Sequence, residues 1–131
     1  MSIPIVLFVY NRPKHLIQTL KALKKEKKLS KIYFFIDGPK KNTEKKINEC
    51  IDIINKVDWV KKETIIQKVN IGLKKTLLIS SNYVFEKNKH DFVIFLEDDN
   101  IILPGFYDYM NLSSKKFKLK KKYLASRDIT F

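Results

Sequence analysis

Residues 3–13, Ile-Pro-Ile-Val-Leu-Phe-Val-Tyr-Asn-Arg-Pro, decide the fold. Ile3 to Val9 is a continuous apolar run rich in β-branched residues, the pattern of a strand buried on both faces. Asn11-Arg12-Pro13 ends the run, and Pro13 suits the first turn of a helix, where its missing N–H is not needed. Leu16, Leu20 and Leu23, with Ile17 beside them, then recur at helical spacing to about Lys27, with lysines on the other face. The first unit is therefore strand, short loop, amphipathic helix.

The unit recurs. Ile32 to Ile36 reads as a second buried strand, broken by Asp37-Gly38-Pro39, and Thr43 is placed to cap a helix carrying Ile47, Cys50, Ile51 and Ile54. Thr64 to Val69 reads as a weaker third strand, followed by Asn70-Ile71-Gly72 and a helix with Leu73, Leu77, Leu78, Val84 and Phe85. Phe92 to Leu96 is the fourth, ending in Glu97-Asp98-Asp99. After Pro104-Gly105 a helix runs from Phe106 through Met110, and Tyr123 to Ala125 begins a further strand. Strands alternating with helices of this length predict α/β architecture: a mainly parallel, Rossmann-like sheet with helices on both faces.

At 131 residues, the chain fits a single domain spanning 1–131, since domains run to roughly 100–200 residues. Cys50 alone forms no internal disulfide, which fits a reducing compartment. The apolar stretch Ile3 to Tyr10 falls well short of the about 20 residues a bilayer span needs and lacks a signal peptide's charged leader, so a cytoplasmic location is expected. The net charge is +13, yet 25 of the 27 basic residues are Lys. With 17 Ile, nine Asn and two Ala, this is the imprint of AT-rich coding. Nucleic-acid readers favour Arg for bidentate contacts, so no nucleic-acid partner is expected. Lys115 to Lys122, with six Lys and no acid, reads as a solvated helix end and leaves open a peripheral contact with an anionic membrane surface.

In an open parallel sheet, ligands bind beyond the carboxyl ends of the strands. There the chain places Asn11 and Arg12; Asp37 and Gly38; Asn70 and Gly72; and Glu97, Asp98 and Asp99. Three consecutive carboxylates repel one another and persist best beside a cation. Alone, such a triplet reads as a solvated turn; after a buried fourth strand it reads as a metal site. Extended alternation would put Glu97 and Asp99 on one side and Asp98 on the other, so that the three do not all bind one ion. Oxygen ligands suit Mg²⁺ or Mn²⁺ completed by phosphate oxygens and water. Neither a Walker loop nor a Gly-x-Gly-x-x-Gly occurs, His15 reads as a surface residue, and Cys50 as core.

The segments Pro4 to Pro13, Phe35 to Gly38, Val69 to Leu73, Phe95 to Asp99 and Leu103 to Tyr109 together resemble, in order and spacing, the nucleotide-sugar half of GT-A fold glycosyltransferases. The likeness is to family 2 enzymes and to the N-acetylglucosaminyltransferase I type. It implies a hexosyl- or N-acetylhexosaminyltransferase of polysaccharide biosynthesis, using Mn²⁺ or Mg²⁺ and a nucleotide-sugar donor, uracil-based in most relatives, with a glycan or lipid-linked acceptor. By that resemblance Asp99 would ligate the metal, while Asp98 and Glu97 would face the ribose and sugar-phosphate. Asp37 would accept a hydrogen bond from the base. The main chain of Val9, Tyr10 and Asn11 would line the base pocket, with Arg12 close to the nucleotide. Asn70 and Gly72 would let their loop approach, and Lys74 or Lys75 would reach a phosphate. Relatives continue into an acceptor half that supplies the catalytic base. No residue here matches that base, so the chain reads as a donor-binding half, truncated or paired with another polypeptide. Two other readings stand beside it: a catalytically inactive nucleotide-binding or interaction module, and a metal-dependent nucleotidyltransferase. The latter is disfavoured because no Gly-rich basic loop follows the first strand.

Overall fold

In the computed structural model of the chain, which describes residues 2–124, the two most apolar runs are the two central strands of one sheet. β1 (Ile5–Val9) and β2 (Lys31–Ile36) pair in parallel, Ile5 opposite Ile32 and Val9 opposite Ile36. β3 (Lys61–Ile66) adds to β2 and β4 (Ile94–Glu97) to β1, giving the all-parallel order β3-β2-β1-β4. Between them run α1 (Pro13–Lys24), α2 (Glu44–Asn55) and α3 (Gly72–Ser81), which continues as a π-helical turn at Asn82–Lys87; α4 (Phe106–Leu124) follows β4.

Alternate residues of the buried strands feed two cores, as pleating requires. Ile5, Leu7, Val9, Ile32, Phe34 and Ile36 meet Leu16, Leu20 and Leu23 of α1, Ile47, Cys50 and Ile54 of α2, and Tyr107 of α4. Val6, Phe8, Tyr33 and Phe35 face the other way, against Val84 and Tyr83 of the π-helical turn. This second layer is aromatic: Phe8 stacks on Phe95 at 5.9 Å, and Tyr83 sets its edge against Tyr33 and Phe35. The expected parallel sheet with helices on both faces is thus observed. Burial pushes the Cys50 thiol up to about 11, as befits a core residue. Among the described residues no helix is long and apolar enough to cross a membrane.

Several boundaries differ from the sequence expectation. β1 begins at Ile5, although Pro4 still accepts a hydrogen bond from the Ile94 N–H. β3 lies at Lys61–Ile66 instead of Thr64 to Val69, and Val69 is 71% exposed. Its charged opening was hidden because an edge strand tolerates Lys and Glu. β4 starts two residues late and keeps Glu97. In α3 the buried positions are Thr76 and Ser80, whereas Leu73, Leu77 and Leu78 are exposed. The Thr76 and Ser80 Oγ atoms donate to the carbonyls of Gly72 and Leu77. α4 runs through the Lys115 to Lys122 segment, so Tyr123 and Leu124 end a helix and begin no strand; Ala125 lies outside the described residues.

Tertiary contacts fasten the elements. Asn111 of α4 accepts the Ile3 N–H at 3.0 Å, and the Tyr107 hydroxyl donates to the Ile3 carbonyl. Lys62 of β3 donates its ammonium to the carbonyls of Ile54 (2.8 Å), Asn55 (3.2 Å) and Val57 (2.7 Å), satisfying groups that the end of α2 leaves open. Lys62→Met keeps the stem and removes this cap; a loss of about 1–2 kcal/mol in urea unfolding is expected. His90 bonds the Tyr33 hydroxyl at 2.8 Å, and burial, then Lys31, lower its pKa below the ordinary 6.5, against the opposing pull of Asp91 and Glu63. Its contribution is therefore complete above 6.5 and lost as the pH falls through the lower folded value. Unfolding curves on either side of that interval should diverge for the wild type and converge for His90→Gln.

Candidate functional site

The strand register sets the site. Val9 pairs with Ile36, Ile36 with Ile66, and Phe8 with Glu97, so four loops leave the sheet along one rim. The chain progresses from β1 to β2 and β3 on one side and returns to β4 on the other. The crevice at this switch point lies between the loops after β1 and β4. Arg12 leaves one and Asp98-Asp99 the other.

The acidic segment is a turn, with the Asn100 N–H donating to the Glu97 carbonyl (3.1 Å) and the Glu97 N–H to Asn100 Oδ1 (2.6 Å). The alternation expected of an extended segment is therefore replaced: the turn brings Asp98 and Asp99 within reach of one guanidinium. Arg12 Nη2 donates to Asp98 Oδ1 at 2.9 Å and Nη1 to Asp99 Oδ2 at 2.8 Å. Asp98 is 1% exposed; its N–H donates to the Phe8 carbonyl, its own carbonyl accepts from Thr19 Oγ1, and its Oδ2 accepts the Tyr10 N–H. Burial raises the Asp98 pKa, opposed by the Arg12 charge and the Tyr10 N–H.

Across the crevice, Asp37 joins two loops. Its Oδ1 accepts the N–H groups of Gly38 (2.8 Å) and Ile71 (2.9 Å), and its Oδ2 accepts that of Gly72 (2.9 Å). It thereby caps the start of α3 from a distant loop. Asn70 Nδ2 returns a bond to the Gly38 carbonyl at 2.8 Å. A Cβ on Gly38 would lie 2.3 Å from the Val69 carbonyl carbon, so glycine is what permits this approach; Gly72 has φ +83°, the left-handed region. Thr43 stands at the N-cap of α2 as expected, but its hydroxyl bonds the Lys40 backbone and the Tyr10 hydroxyl and leaves the helix uncapped.

These elements enclose a cavity of about 200 Å³. Phe8 and Phe35 form its apolar floor, Leu73 and Thr76 one wall, and Val9, Tyr10, Arg12, Asp37, Lys40, Asn70, Gly72, Glu97 and Asp98 its rim. Asp99 is 37% exposed and reaches this rim through Arg12; Asn11 lines the adjoining groove between α1 and α2, and Lys74 and Lys75 stand exposed on α3 outside the cavity. Lys40, Leu73, Thr76 and the two phenylalanines were missed as site residues from sequence. Lys40 had a readable signal, as it follows Asp37-Gly38-Pro39 on the same rim. Among the described residues no group of three or more His, Cys, Asp or Glu forms a metal cage. Asp99 offers an open carboxylate whose Oδ1 accepts no hydrogen bond from the described residues. That fits an ion completed by phosphate oxygens and water.

Two substitutions separate contact from conformation at the joined loops. Gly38→Ala should cost about 2–3 kcal/mol, because backbone must move. Gly72→Ala, with open space around the added carbon, should cost about 1–2 kcal/mol from φ alone. Urea unfolding of the two variants tests this ranking.

No curated protein matches the chain. The family model described as Glycosyl transferase family 2 matches residues 5–110, a span that holds the whole sheet, the cavity and the acidic turn, and the chain belongs to that family.

Proposed function

We propose that this chain binds a nucleotide-diphosphate sugar, a UDP-sugar, in the switch-point cavity and serves transfer of a hexosyl or N-acetylhexosaminyl unit to a glycan or lipid-linked acceptor in polysaccharide biosynthesis. The observation that carries this reading is the acidic turn at the switch point, in a cavity where carboxylates outnumber cations. Asp37, Glu97 and Asp98 line it against Arg12 and Lys40, within a chain of net charge +13. A diphosphate is repelled by such a lining unless a further cation accompanies it.

Asp99 is the residue to hold that cation, Mn²⁺ or Mg²⁺. When bound, the ion supplies Lewis-acid neutralisation of the diphosphate leaving group. Asp37 has one bond on Oδ2, and a carboxylate oxygen has two lone pairs, so it retains an acceptor for the uracil N–H. The main chain of Val9, Tyr10 and Asn11 and the loop at Asn70 and Gly72 flank the base. Glu97 faces the ribose and the sugar-phosphate, beside Asp98, whose two oxygens are bonded to Arg12 and to the Tyr10 N–H. Lys40 on the rim, with Lys74 and Lys75 outside it, is available to phosphate oxygens. At about 200 Å³ the cavity is smaller than the about 300–1,000 Å³ of typical ligand sites, so it holds part of the donor and leaves the sugar toward the acceptor. A cytoplasmic site of action, peripheral at the inner membrane face where lipid-linked acceptors are presented, goes with this reading.

Calorimetric titration with UDP, with Mn²⁺ or with chelator, tests the reading. Binding at least about tenfold tighter with the ion, or about 1.4 kcal/mol, is expected, with the difference lost in Asp99→Asn. Absence of UDP binding, or binding indifferent to both the ion and Asp99, would overturn it. UDP binding with no sugar transfer or donor hydrolysis would favour the inactive nucleotide-binding module.

A further inference from the structure

We infer that Arg12 couples the donor to the metal, by holding Asp99 until a donor phosphate oxygen takes its place on the guanidinium. The inference rests on Asp99 being the metal-holding residue of the proposed function. It starts from the way the guanidinium is divided. One terminal nitrogen bonds Asp98 and the other bonds Asp99, so Arg12 spans two carboxylates and does not fork onto one. The two partners are unlike. Asp98 is 2% exposed at the side chain, is also bonded by the Tyr10 N–H, and depends on Arg12 for its counter-charge. Asp99 is 37% exposed and has water as an alternative partner, so its bond to Arg12 is the weaker of the two.

Arg12 itself is 43% exposed at the side chain and lines the cavity, so its guanidinium borders the place a diphosphate would take. Guanidinium binds phosphate oxygens at least as well as carboxylate, in the same planar fork. With no donor present, Arg12 remains on both carboxylates, and Asp99 is a poor ligand because a divalent ion must displace a fixed positive charge next to it. With a donor present, the nitrogen on Asp99 gains a better partner while the nitrogen on Asp98 keeps the buried charge neutralised. Asp99 is then free to ligate. Arg12 in this account is a positioning residue: it acts through Asp99, and it makes metal affinity depend on donor occupancy beyond the attraction between ion and diphosphate.

The test reads metal binding alone, without turnover, from the loss of the free Mn²⁺ electron paramagnetic resonance signal. Arg12→Gln should bind Mn²⁺ in the absence of UDP roughly fivefold or more tightly than the wild type, the low end of coupling between linked sites. The same variant should bind UDP more weakly. Arg12→Gln combined with Asp98→Asn removes the buried carboxylate together with its counter-charge, so it should also gain Mn²⁺ affinity and guards against loss of folding in the single variant. Mn²⁺ affinity unchanged or lowered in both folded variants would overturn the coupling. Asp99→Asn separates this from failure of the proposed function. If that substitution leaves Mn²⁺ binding unchanged, Asp99 is not the ligand and the underlying reading fails; if Mn²⁺ binding needs Asp99 yet ignores Arg12, only the coupling fails.

Discussion

Every residue of β1 is buried, and this one constraint organises the rest. A strand with no solvated face or edge needs a strand on each side and a layer on each face. β2 and β4 supply the sides; α1, α2 and α4 cover one face, and α3 with its π-helical turn covers the other. Because β1 is central and its next neighbour in sequence lies on only one side, the chain must come back across it to place β4. That reversal opens the crevice, and the parallel register delivers Arg12 and the acidic turn to its two sides.

The buried strands and the first two helices were legible because their apolar periodicity is strong and nearly uninterrupted. β3 was not, because the residues that open it have tertiary duties that no local pattern announces. Lys62 serves the end of α2, and Glu63 bonds Lys31 at 2.6 Å and the Tyr83 hydroxyl at 2.5 Å. α3 inverted the usual inference. Leu73, Leu77 and Leu78 made the obvious stripe, but the helix buries the small Thr76 and Ser80, whose hydroxyls are satisfied by carbonyls of their own helix and which carry no apolar signal. The far half of α4 has too few apolar residues for its periodicity to be seen.

At the site, identities were readable and partnerships were not. The rule that ligands gather beyond strand ends singled out Arg12, Asp37, Asn70, Gly72 and the Glu97-Asp98-Asp99 segment, and the structure puts all of them on one rim. What a single sequence conceals is how each carboxylate is used. Asp37 and Asp98 are committed to the scaffold: the first accepts three backbone N–H groups, the second a backbone N–H and a guanidinium. A buried carboxylate without such partners would cost several kcal/mol, roughly the whole margin of a small domain. Glu97 and Asp99 carry no comparable burden. Two environments thus divide one run of acids into residues that shape the rim and residues left available on it.

That division bears on the charge of the whole molecule. A chain with an excess of thirteen positive charges would attract anions broadly, but a lysine-rich surface in salt discriminates little among them, since screening acts within about 8–10 Å. Selection has to come from the cavity, and there the balance reverses, with three carboxylates against two cations. Long-range attraction and local repulsion together favour ligands that are anionic overall yet bring or accept a counter-cation at the point of contact. Under the proposed function, a diphosphate accompanied by a divalent ion would satisfy both conditions, whereas a phosphate monoester held by surface lysines would gain nothing from the cavity. By fixing the acidic turn at the switch point and bringing only Lys40 among the lysines to the cavity lining, the fold gives the rim a charge balance that net charge does not reveal.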